Sequence, residues 1–519
     1  MMKRNLLFST LLYMCCAVMA QQNGGLSLGK GLEYEVEFQT TAGSGEHSPL
    51  WLNANKYGLS SVEKNNGFVR AALYRSVGND DDRRWGVGYG LDLAGAWHNT
   101  SNFFVQQAYV DLRWLRGLLT VGCKEQPLEL KNTELSSGSQ TFGINARPVP
   151  QVRLALPDYW VIPGTGGWIG LKGHFSYGIL TDGKWQKEFT RDSSKYTQNT
   201  LYHSKAGYLR IGLANITLEL GIEMACEFGG KSFNARGLGT VIKNGQGIKS
   251  FVNALIPGGT DKGESEIEGV YENDEGNHVG SWVARLNLDF PMWYLGIYAD
   301  HYFEDHSSMF FLDYDGYGSG ADWNKKVDRR YFMYKLKDIM LGAELKLKNV
   351  SWMNDMVFEY IYSKYQSGPV YHDHTQNLST HISGRDDYYN HAVFSGWQHW
   401  GQVMGNPLYR SPLYNDDRQI MVESNRFYGF HLACCGDPTA DIHYRLRASW
   451  QKSYGTYYRP FADPRENLSL LGEVTYSFPE TSRLYGWSIR GGVGYDKGPL
   501  LGNNTGFQLT VTKWGLLNF

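Results

Sequence analysis

The sequence predicts an all-β protein, a transmembrane antiparallel β-barrel of about 18 strands with long extracellular loops folded over the mouth. Three observations predict this fold. Apolar and polar residues alternate with a period of two along many segments, several of them far longer than the roughly 5–6 residues usual in globular strands. Phe, Trp and Tyr make up 14% of the chain, yet mean hydropathy is only −0.42. The alternation also continues up to Phe519.

Residues 1–20 are expected to be a secretory signal peptide. Lys3 and Arg4 supply a basic start, Leu6–Ala17 is a short apolar run, and Ala20 suits a cleavage position. Export through such a signal predicts that the mature protein resides in the outer membrane of a Gram-negative bacterium. No linker or composition shift divides residues 21–519, so we expect one barrel domain.

The first alternating segment is LEYEVEF, in which Leu32, Tyr34, Val36 and Phe38 alternate with glutamates. The same pattern recurs along the chain, at 85–97, 166–180, 216–228, 278–290, 339–348, 354–363, 442–450, 466–478, 485–496 and 507–519. Single-chain bacterial barrels favour even strand numbers, which is why we settle on about 18.

A stack of soluble β-sandwiches is the alternative, because sandwich strands also alternate. The polar positions argue against it. Glu33, Glu35 and Glu37 place several charges of one sign on one strand face. A barrel lumen accommodates such a face, and a barrel also explains the abundant aromatic residues as girdles at the membrane interfaces.

The formal net charge of −2 gives no indication of a nucleic-acid partner. The lumen-facing positions carry both signs, and two roles stay open for them: bracing across the lumen, or lining a permeation path. These positions include Glu33, Glu35, Glu37, Glu219, Glu223, Glu227, Lys172, Arg445, Arg447 and Arg490.

The predicted connections are uneven, which is the outer-membrane pattern of short turns on one rim and long loops on the other. Short joints are expected at Gly117-Leu118 and Pro291-Met292. Long loops are expected at 124–150, 181–199, 230–277, 305–327, 364–416 and 452–465. Since these loops are rich in Trp, Tyr and His, we expect them to be ordered.

The closing strand should pair with the strand that begins near Leu32, and Phe519 should be its last lipid-facing residue. Lys513 is the exception to the pattern, because it falls on the lipid-facing parity. A lysine there would cost about 2–4 kcal/mol at the bilayer midplane. A bulge, snorkelling or a neighbouring barrel could relieve that cost.

The cysteines give no metal-binding or redox spacing. Cys15 and Cys16 allow a lipoprotein signal as an alternative, although Met14 precedes Cys15 where a small residue would be expected. The other four cysteines are expected to be free thiols, namely Cys123, Cys226, Cys434 and Cys435.

Several stretches resemble a known family. They include PLWLNANKYGLSS (49–61), LDLAGAW (91–97), FFVQQAYVDLR (103–113), INARPVPQVRLALPDYWVIPGTGGWIGLKG (144–173), LYHSKAGYLRIG (201–212), GRDDYYNHAVFSGWQHWGQVMGNPL (384–408) and RASWQKSYGTYY (447–458). In their order and extent they are similar to the capsule assembly Wzi family of outer membranes, in its Bacteroides-type form.

The resemblance implies an 18-stranded barrel that binds capsular polysaccharide and takes part in capsule assembly or attachment. It also implies that the terminal aromatic, Phe519, is read by the barrel assembly machinery. One departure is that a strand begins by Leu32, which leaves no room for the helical bundle described in enterobacterial members. A porin or gated channel for a solute is the alternative function.

The loop GRDDYYNHAVFSGWQHWGQ is the candidate carbohydrate site. Aromatic planes can cover the apolar faces of sugars, and paired donors and acceptors can meet their hydroxyl groups. The alternative is that these side chains form the core of the loop itself. The candidate residues are Arg385, Asp386, Tyr388, Tyr389, His391, Trp397, His399 and Trp400.

No catalytic motif of the GxSxG or HExxH kind occurs, so we expect no enzyme activity and no cofactor. His174 with Ser176, and His443 with Ser449, share a parity, but such pairs arise easily among 14 histidines. His372, Asp373 and His374 form an HxH segment that could bind a metal, although a solvated loop is the better interpretation.

Overall fold

The computed structural model describes residues 28–191, 193–256, 276–304, 309, 320–322, 325, 338–371 and 382–517. The α-helices in these ranges are short: Leu50–Asn53, Gly183–Phe189 and Ile248–Leu255. No helix in this part of the chain is long and apolar enough to cross a membrane. The signal peptide expected at residues 1–20, the HxH segment and Phe519 lie outside the described residues.

Eighteen antiparallel strands form one sheet. They are β1 Leu32–Ser44, β2 Asn66–Arg75, β3 Trp85–Trp97, β4 Phe103–Trp114, β5 Gly117–Cys123, β6 Gln151–Val161, β7 Ile169–Ile179, β8 Leu201–Leu213, β9 Ile216–Phe228, β10 Asn277–Asp289, β11 Trp293–Glu304, β12 Ile339–Leu347, β13 Asp355–Tyr362, β14 Phe427–Thr439, β15 Ile442–Gly455, β16 Pro460–Ser477, β17 Trp487–Lys497 and β18 Asn504–Leu517. The sheet closes because β1 pairs with β18, from Leu32 opposite Leu517 to Ser44 opposite Thr505. The predicted fold, strand number and closure are confirmed.

Shorter elements lie in the connections. They are the strands Tyr196–Gln198, Lys231–Phe233, Val241–Lys243, Ser367–Tyr371, Ile382–Arg385, Gln398–His399 and Gln402–Val403, and the 3₁₀ turns Val77–Asp80, Gly320–Asp322 and Pro412–Tyr414. None of these belongs to the eighteen-stranded sheet.

The two rims of the barrel differ as the sequence predicts. At the rim that holds the start of β1 and the end of β18, short turns join the strands, such as 115–116, 214–215 and 440–441. The longer connections leave the opposite rim, among them 124–150 and 363–426. We call these the short-turn rim and the long-loop rim.

The exterior of the barrel is apolar. On β1, Val36 and Phe38 face outward and are 44% and 41% exposed, while Gln39 and Thr41, on the opposite strand parity, are buried in the lumen. Exposed aromatic side chains mark the membrane interfaces. At the short-turn rim they are Trp85, Trp114, Trp168, Trp293, Trp352, Tyr485 and Trp487.

Lys513 lies close to the short-turn rim, not at the midplane. It is opposite Trp487, the first residue of β17. Its Nζ donates a hydrogen bond of 2.6 Å to the main-chain oxygen of Tyr485 in the adjacent turn. The sequence leaves open three ways to relieve the cost of this lysine on the lipid-facing parity. The structure supports snorkelling, in which the side chain extends to the membrane interface.

One loop prediction is wrong. The sequence predicts a long loop at residues 452–465. The structure instead continues β15 to Gly455 and starts β16 at Pro460, so only 456–459 turn between them. The short joint expected at 117–118 lies slightly earlier, at 115–116.

Charged groups brace the inner wall. The Arg70 guanidinium lies 2.8 Å from Glu35 and 3.5 Å from Asp92 on the adjacent strands. Arg445 on β15 pairs with Glu473 on β16. These pairs brace neighbouring strands, which is one of the two roles left open for the mixed lumen charges.

Candidate functional site

Three loops from the long-loop rim fold down into the lumen and form a plug. The first plug loop is 45–65, the second is 124–150, and the third is 386–426. Their apolar side chains pack into one core with inward-facing wall residues, including Trp51, Tyr302, Trp397 and Tyr409. The loops that the sequence places over the mouth therefore also fill the barrel below it.

The second plug loop extends across the lumen to the opposite wall. Lys131 forms a buried ion pair of 2.7 Å with Asp300 on β11. Asn132 Nδ2 donates to the carboxylates of Glu344 and Asp355. Further contacts from Glu129, Glu134, Leu135, Ser136 and Ser137 reach Lys172, His443, His431 and Glu359. Since Asp355 and His443 lie near the beginnings of β13 and β15, the loop tip reaches the short-turn rim.

The first plug loop lies against the other side of the barrel. The amide of Leu50 donates to Asp496 on β17, and Trp51 Nε1 donates to Ser449 on β15. It also contacts the second plug loop, since the amide of Tyr57 donates to the oxygen of Ile144 at 2.8 Å. The two loops are thereby joined into one body.

A bulge in β4 helps to hold this body. The register shifts between the partners of Asp92 and Leu93, so both Gln106 and Gln107 point inward. Gln106 Nε2 donates to the main-chain oxygen of Tyr57 and to the carboxylate of Glu125. The bulge thus provides two adjacent anchors for the plug.

The third plug loop covers the second. Gly143 and Gly405 allow main chain to approach main chain, because a Cβ on Gly143 would lie 2.3 Å from the oxygen of Gly405. The amide of Gly143 donates to the oxygen of Met404, and Asn406 Nδ2 donates to Ser137 and Gly138. The mouth is closed by this layered contact.

Most aromatic members of the predicted carbohydrate site lie inside this layer. Tyr388, Tyr389 and Trp397 are each no more than 1% exposed. The Trp397 indole donates to the oxygen of Thr141 and stacks on Tyr202 at 6.0 Å. In the described arrangement these three side chains pack in the plug, and their contact with glycan stays a prediction.

The polar members of the predicted site occupy similar positions. Asp386 is buried, and Arg385 ends the short strand Ile382–Arg385 opposite Ser367. The His399 imidazole is hydrogen-bonded inside the plug, with Nδ1 2.9 Å from the main-chain oxygen of Arg147. Burial, together with nearby Lys195, lowers the pKa of His391 to about 3. His391 is therefore neutral at neutral pH and offers no positive charge to an acidic sugar.

Trp400 lies half-buried at the mouth, and His391 is also half-buried. Trp400 occupies the first position of a two-residue turn between Gln398–His399 and Gln402–Val403, with φ of 56°, followed by Gly401 with φ of 78°. Asn, Asp or Gly is favoured there, and a left-handed non-glycine residue costs roughly 1–2 kcal/mol. A large aromatic residue in that position is a feature often found at functional sites.

Arg147 lies directly beside Trp400. Its Cζ is 4.6 Å from the centre of the Trp400 ring and 3.8 Å from that of Phe104. Nη2 donates to Asn99 and Thr100, whereas Nε and Nη1 are buried without a hydrogen-bond partner among the described residues. Burial lowers the pKa of Arg147 to about 9, so the guanidinium is still charged at neutral pH.

A cavity of about 120 Å³ lies between the plug and the wall at β6–β8. Its lining includes three cationic side chains, Lys124, Arg147 and Arg153, together with the imidazole of His174 and the carboxylate of Glu129. The volume would hold about four water molecules. It could accept a single charged or polar group of a ligand, but it is smaller than the roughly 300–1,000 Å³ of a small-molecule site.

Sequence reasoning missed Arg147, which the structure places between Trp400 and the β3–β4 turn. The residue lies within the quoted stretch 144–173, but nothing in its local pattern distinguishes it from a solvated loop arginine. None of the four cysteines in the described part of the chain forms a disulfide, and Cys226 is fully buried. His174 contacts Ser204, and Ser449 contacts Trp51 and His431.

Glu125 gives the plug a pH dependence that can be tested. Burial, and secondarily Asp92 and Glu35, raise the pKa of its carboxyl from 4.5 to about 7. The neutral form therefore stabilises the docked loop below about pH 4.5, and this stabilisation is lost as the pH rises through about 7. We expect Glu125→Gln to stabilise docking at pH 8 by about 1–2 kcal/mol and to have little effect at pH 4.5.

Limited proteolysis of residues 124–150 at each pH measures this effect. Glu188→Gln is the matched control, since the Glu188 side chain is 65% exposed. Equal protease sensitivity of the wild type and Glu125→Gln at pH 8 would contradict the account.

Comparisons with known proteins support the fold. No protein-family model and no curated protein matches the sequence. Among solved structures, the chain is similar to Wzi of Escherichia coli, with a TM-score of 0.55 and 11% identity over 93% of this chain and 85% of that chain. The chain has an outer-membrane β-barrel fold. Wzi is described as an outer-membrane protein involved in group 1 capsule assembly and as a carbohydrate-binding β-barrel.

Other solved barrels superpose less well. OprD of Pseudomonas aeruginosa matches with a TM-score of 0.43 and 9% identity over 94% of this chain and 96% of that chain. OccAB4 of Acinetobacter baumannii matches with a TM-score of 0.44 and 8% identity over 94% of this chain and 99% of that chain.

Proposed function

We propose that this protein is an outer-membrane surface barrel that binds capsular polysaccharide and takes part in capsule assembly or attachment. The observation that carries the proposal is the pair formed by Arg147 and Trp400. A charged, buried guanidinium lies beside a half-buried indole at the mouth, and two of its nitrogens, Nε and Nη1, have no hydrogen-bond partner among the described residues. Unsatisfied buried donors are rare in folded proteins, and a ligand can satisfy them.

The chemistry of this pair suits a sugar. An indole face can cover the apolar C–H face of a pyranose ring. A guanidinium can donate to hydroxyl groups, or bind a sugar carboxylate through paired hydrogen bonds. The small basic cavity beside Arg147 could receive such a carboxylate, which favours an acidic polysaccharide.

The filled lumen supports retention over conduction. The three plug loops contact one another and the wall from β7 to β18, so the same loops that form the mouth also occupy the passage. Weak individual contacts suffice for retention, because a repeating polymer engages many barrels at once. The alternative, a porin or gated channel, requires the plug to move.

Replacing Trp400 with Asn tests the site. Asn is favoured at this turn position, so Trp400→Asn keeps the hairpin and removes the aromatic face. We expect binding of purified capsular polysaccharide to weaken about 5- to 10-fold, the loss of about 1 kcal/mol or slightly more. Surface plasmon resonance on the detergent-solubilised barrel measures the affinity.

The matched control is Tyr458→Asn, which removes an aromatic side chain that is 69% exposed in the turn 456–459 of the same rim. Its binding should equal that of the wild type. If Trp400→Asn also binds normally and its barrel is folded, as shown by a gel mobility that changes on heating, Trp400 is not part of the glycan site.

A deletion strain tests the cellular role. We expect less capsule on the cells and more in the medium, since retention depends on the barrel. Unchanged attachment and unchanged capsule shape would refute the proposed function.

The remaining assignments follow the same proposal. The mature protein would begin after Ala20 and contact outer-membrane lipid through its apolar belt. Its partners would be capsular polysaccharide and the barrel assembly machinery, which would read the last strand ending at Phe519. The proposed role involves binding without turnover, with no enzyme activity and no cofactor.

A further inference from the structure

A mixed set of metal-binding side chains lies where the tip of the second plug loop meets the wall. Glu134 belongs to the loop, Cys435 to β14 and His443 to β15. Their ligand atoms, a carboxylate oxygen, Sγ and an imidazole nitrogen, all lie within 4.8 Å of one another. We infer that these three residues form a site for a divalent transition-metal ion of the Zn²⁺ class, which fastens the plug to the barrel at the short-turn rim.

The ligand types favour this class of ion. Thiolate, imidazole and carboxylate together are ligands of Zn²⁺, whereas Ca²⁺ and Mg²⁺ prefer oxygen alone. Zinc sites with three protein ligands complete their coordination with water. The Glu134 and His443 side chains are 44% and 33% exposed, which provides both a route for the ion and room for that water.

The surrounding residues orient the ligands. His443 Nδ1 lies 2.8 Å from Asp437 Oδ1, which leaves Nε2 toward Glu134 and Cys435. Asn354 Nδ2 donates to Asp437 at 2.6 Å, and Asn354 Oδ1 faces the Cys435 thiol at 3.6 Å. A carboxylate that holds the second imidazole nitrogen of a ligand is the usual outer shell of a zinc site.

Little movement is needed to admit the ion. In a tetrahedral site with ordinary Zn–N, Zn–O and Zn–S lengths, neighbouring ligand atoms are about 3.3–3.6 Å apart. His443 Nε2 and Glu134 Oε1 are 2.8 Å apart, so they must separate by roughly half an ångström. The other ligand atoms lie within 4.8 Å of one another, so any longer pair must close by at most about 1.5 Å. Glu134 lies at the tip of a loop, and its side chain can make that adjustment.

The two neighbouring arginines do not occupy the Glu134 carboxylate. Arg445 and Arg447 both donate to the main-chain oxygen of Glu134, not to its carboxylate. Arg445 is also paired with Glu473. Binding of Zn²⁺ would release the proton of the Cys435 thiol and the proton that His443 Nε2 donates to Glu134. The resulting thiolate and the Glu134 carboxylate would balance the charge of the ion.

Two adjacent cysteines allow a controlled test. Cys435 faces the site, whereas Cys434 has the opposite strand parity and is a matched control. Zn²⁺ titrated into the metal-free, detergent-solubilised full chain should bind with one ion per barrel in the wild type and in Cys434→Ala. We expect affinity to fall at least about tenfold in Cys435→Ala and in His443→Gln, since each loses one ligand.

Co²⁺ gives a second, independent readout. In the wild type and in Cys434→Ala it should show a thiolate charge-transfer band and the visible bands of tetrahedral cobalt, and Cys435→Ala should lack the charge-transfer band. Bound Zn²⁺ should also slow hydrogen exchange of residues 130–136 relative to the metal-free barrel. Wild-type affinity in Cys435→Ala, or Co²⁺ bound without a thiolate band in the wild type, would overturn the inference.

Discussion

Replacing residues 127–147 with a short Asn-Gly turn should convert the barrel into an open pore. These residues are the part of the second plug loop that extends across the lumen from β5 to the far wall. The strands on either side are neighbours, with Gly122 opposite Gln151, so a tight turn can join them. An 18-stranded barrel without its plug is wide enough for an aqueous channel.

The barrel wall should survive this change. Asp300, Glu344 and Glu359 would lose their partners from the loop, but they would then face water in an open lumen and not a packed interior. Exposed carboxylates are well solvated and cost little. The first and third plug loops would lose their contacts with the second, and we expect them to become mobile at the mouth.

Single-channel recording in planar bilayers measures the outcome. We expect large, stable conductance steps from the shortened protein and far smaller ones from the wild type. The control deletes Arg236–Gly239, the tip of an exposed hairpin between Lys231–Phe233 and Val241–Lys243. That deletion should leave the conductance at the wild-type level.

This experiment also separates the two functions considered for the barrel. A porin predicts large steps from the intact protein. If the wild type and the shortened protein conduct equally well, the second plug loop does not block the lumen and the retention model loses its structural support.

The barrel itself could be predicted because its signal is local. On β1, the alternation of Val36 and Phe38 with Glu35 and Glu37 reports the lipid and lumen faces directly. The pairing of Leu32 with Leu517 follows from closure, which every membrane barrel requires. Lys513 looked anomalous because the sequence does not show how near it lies to the short-turn rim.

The plug could not be predicted because its partners are remote in sequence. Lys131 and Asp300 pair across the lumen, and nothing near Lys131 marks it as buried. The segment around it is polar and lacks a period, as a solvated loop would be. Loops without regular structure that bury polar groups need many specific partners, which only the tertiary structure supplies.

The same limit applies to the candidate site. Trp397 and Trp400 are three residues apart in one aromatic loop, and sequence reasoning treats them alike. The structure separates them, because Trp397 donates to Thr141 inside the plug and Trp400 lies on Arg147 at the mouth. Trp397 and Trp400 differ in burial because a hairpin turns at Trp400 and Gly401. This turn contains no Asn or Asp from which the sequence could have predicted it.

Lys131→Met should release the second plug loop from the wall, at a cost of about 3–5 kcal/mol. The Lys131 and Asp300 side chains are 1% and 0% exposed, and their ion pair is 2.7 Å long. Asp300 also accepts from the amide of Gln140, and Glu223 lies close by through Ser139. Removal of the lysine leaves these buried carboxylates without their cation, which costs more than the pair itself is worth.

Hydrogen exchange of the amides in 127–147 measures the opening of the loop. We expect exchange to accelerate by roughly two to four orders of magnitude in Lys131→Met. Lys184→Met is the matched control, because Lys184 pairs with Glu188 on the surface and both side chains are mostly exposed. Exposed pairs of this kind contribute at most about 1 kcal/mol.

The double variant Lys131→Met/Asp300→Asn decides between loss of charge balance and loss of packing. Replacing both partners removes the Asp300 charge that Lys131 balances directly, so exchange should return most of the way to the wild-type rate. Met fills nearly the same volume as the lysine stem, which keeps packing similar in both variants. If the double variant exchanges as fast as Lys131→Met, packing and not charge holds the loop against β11.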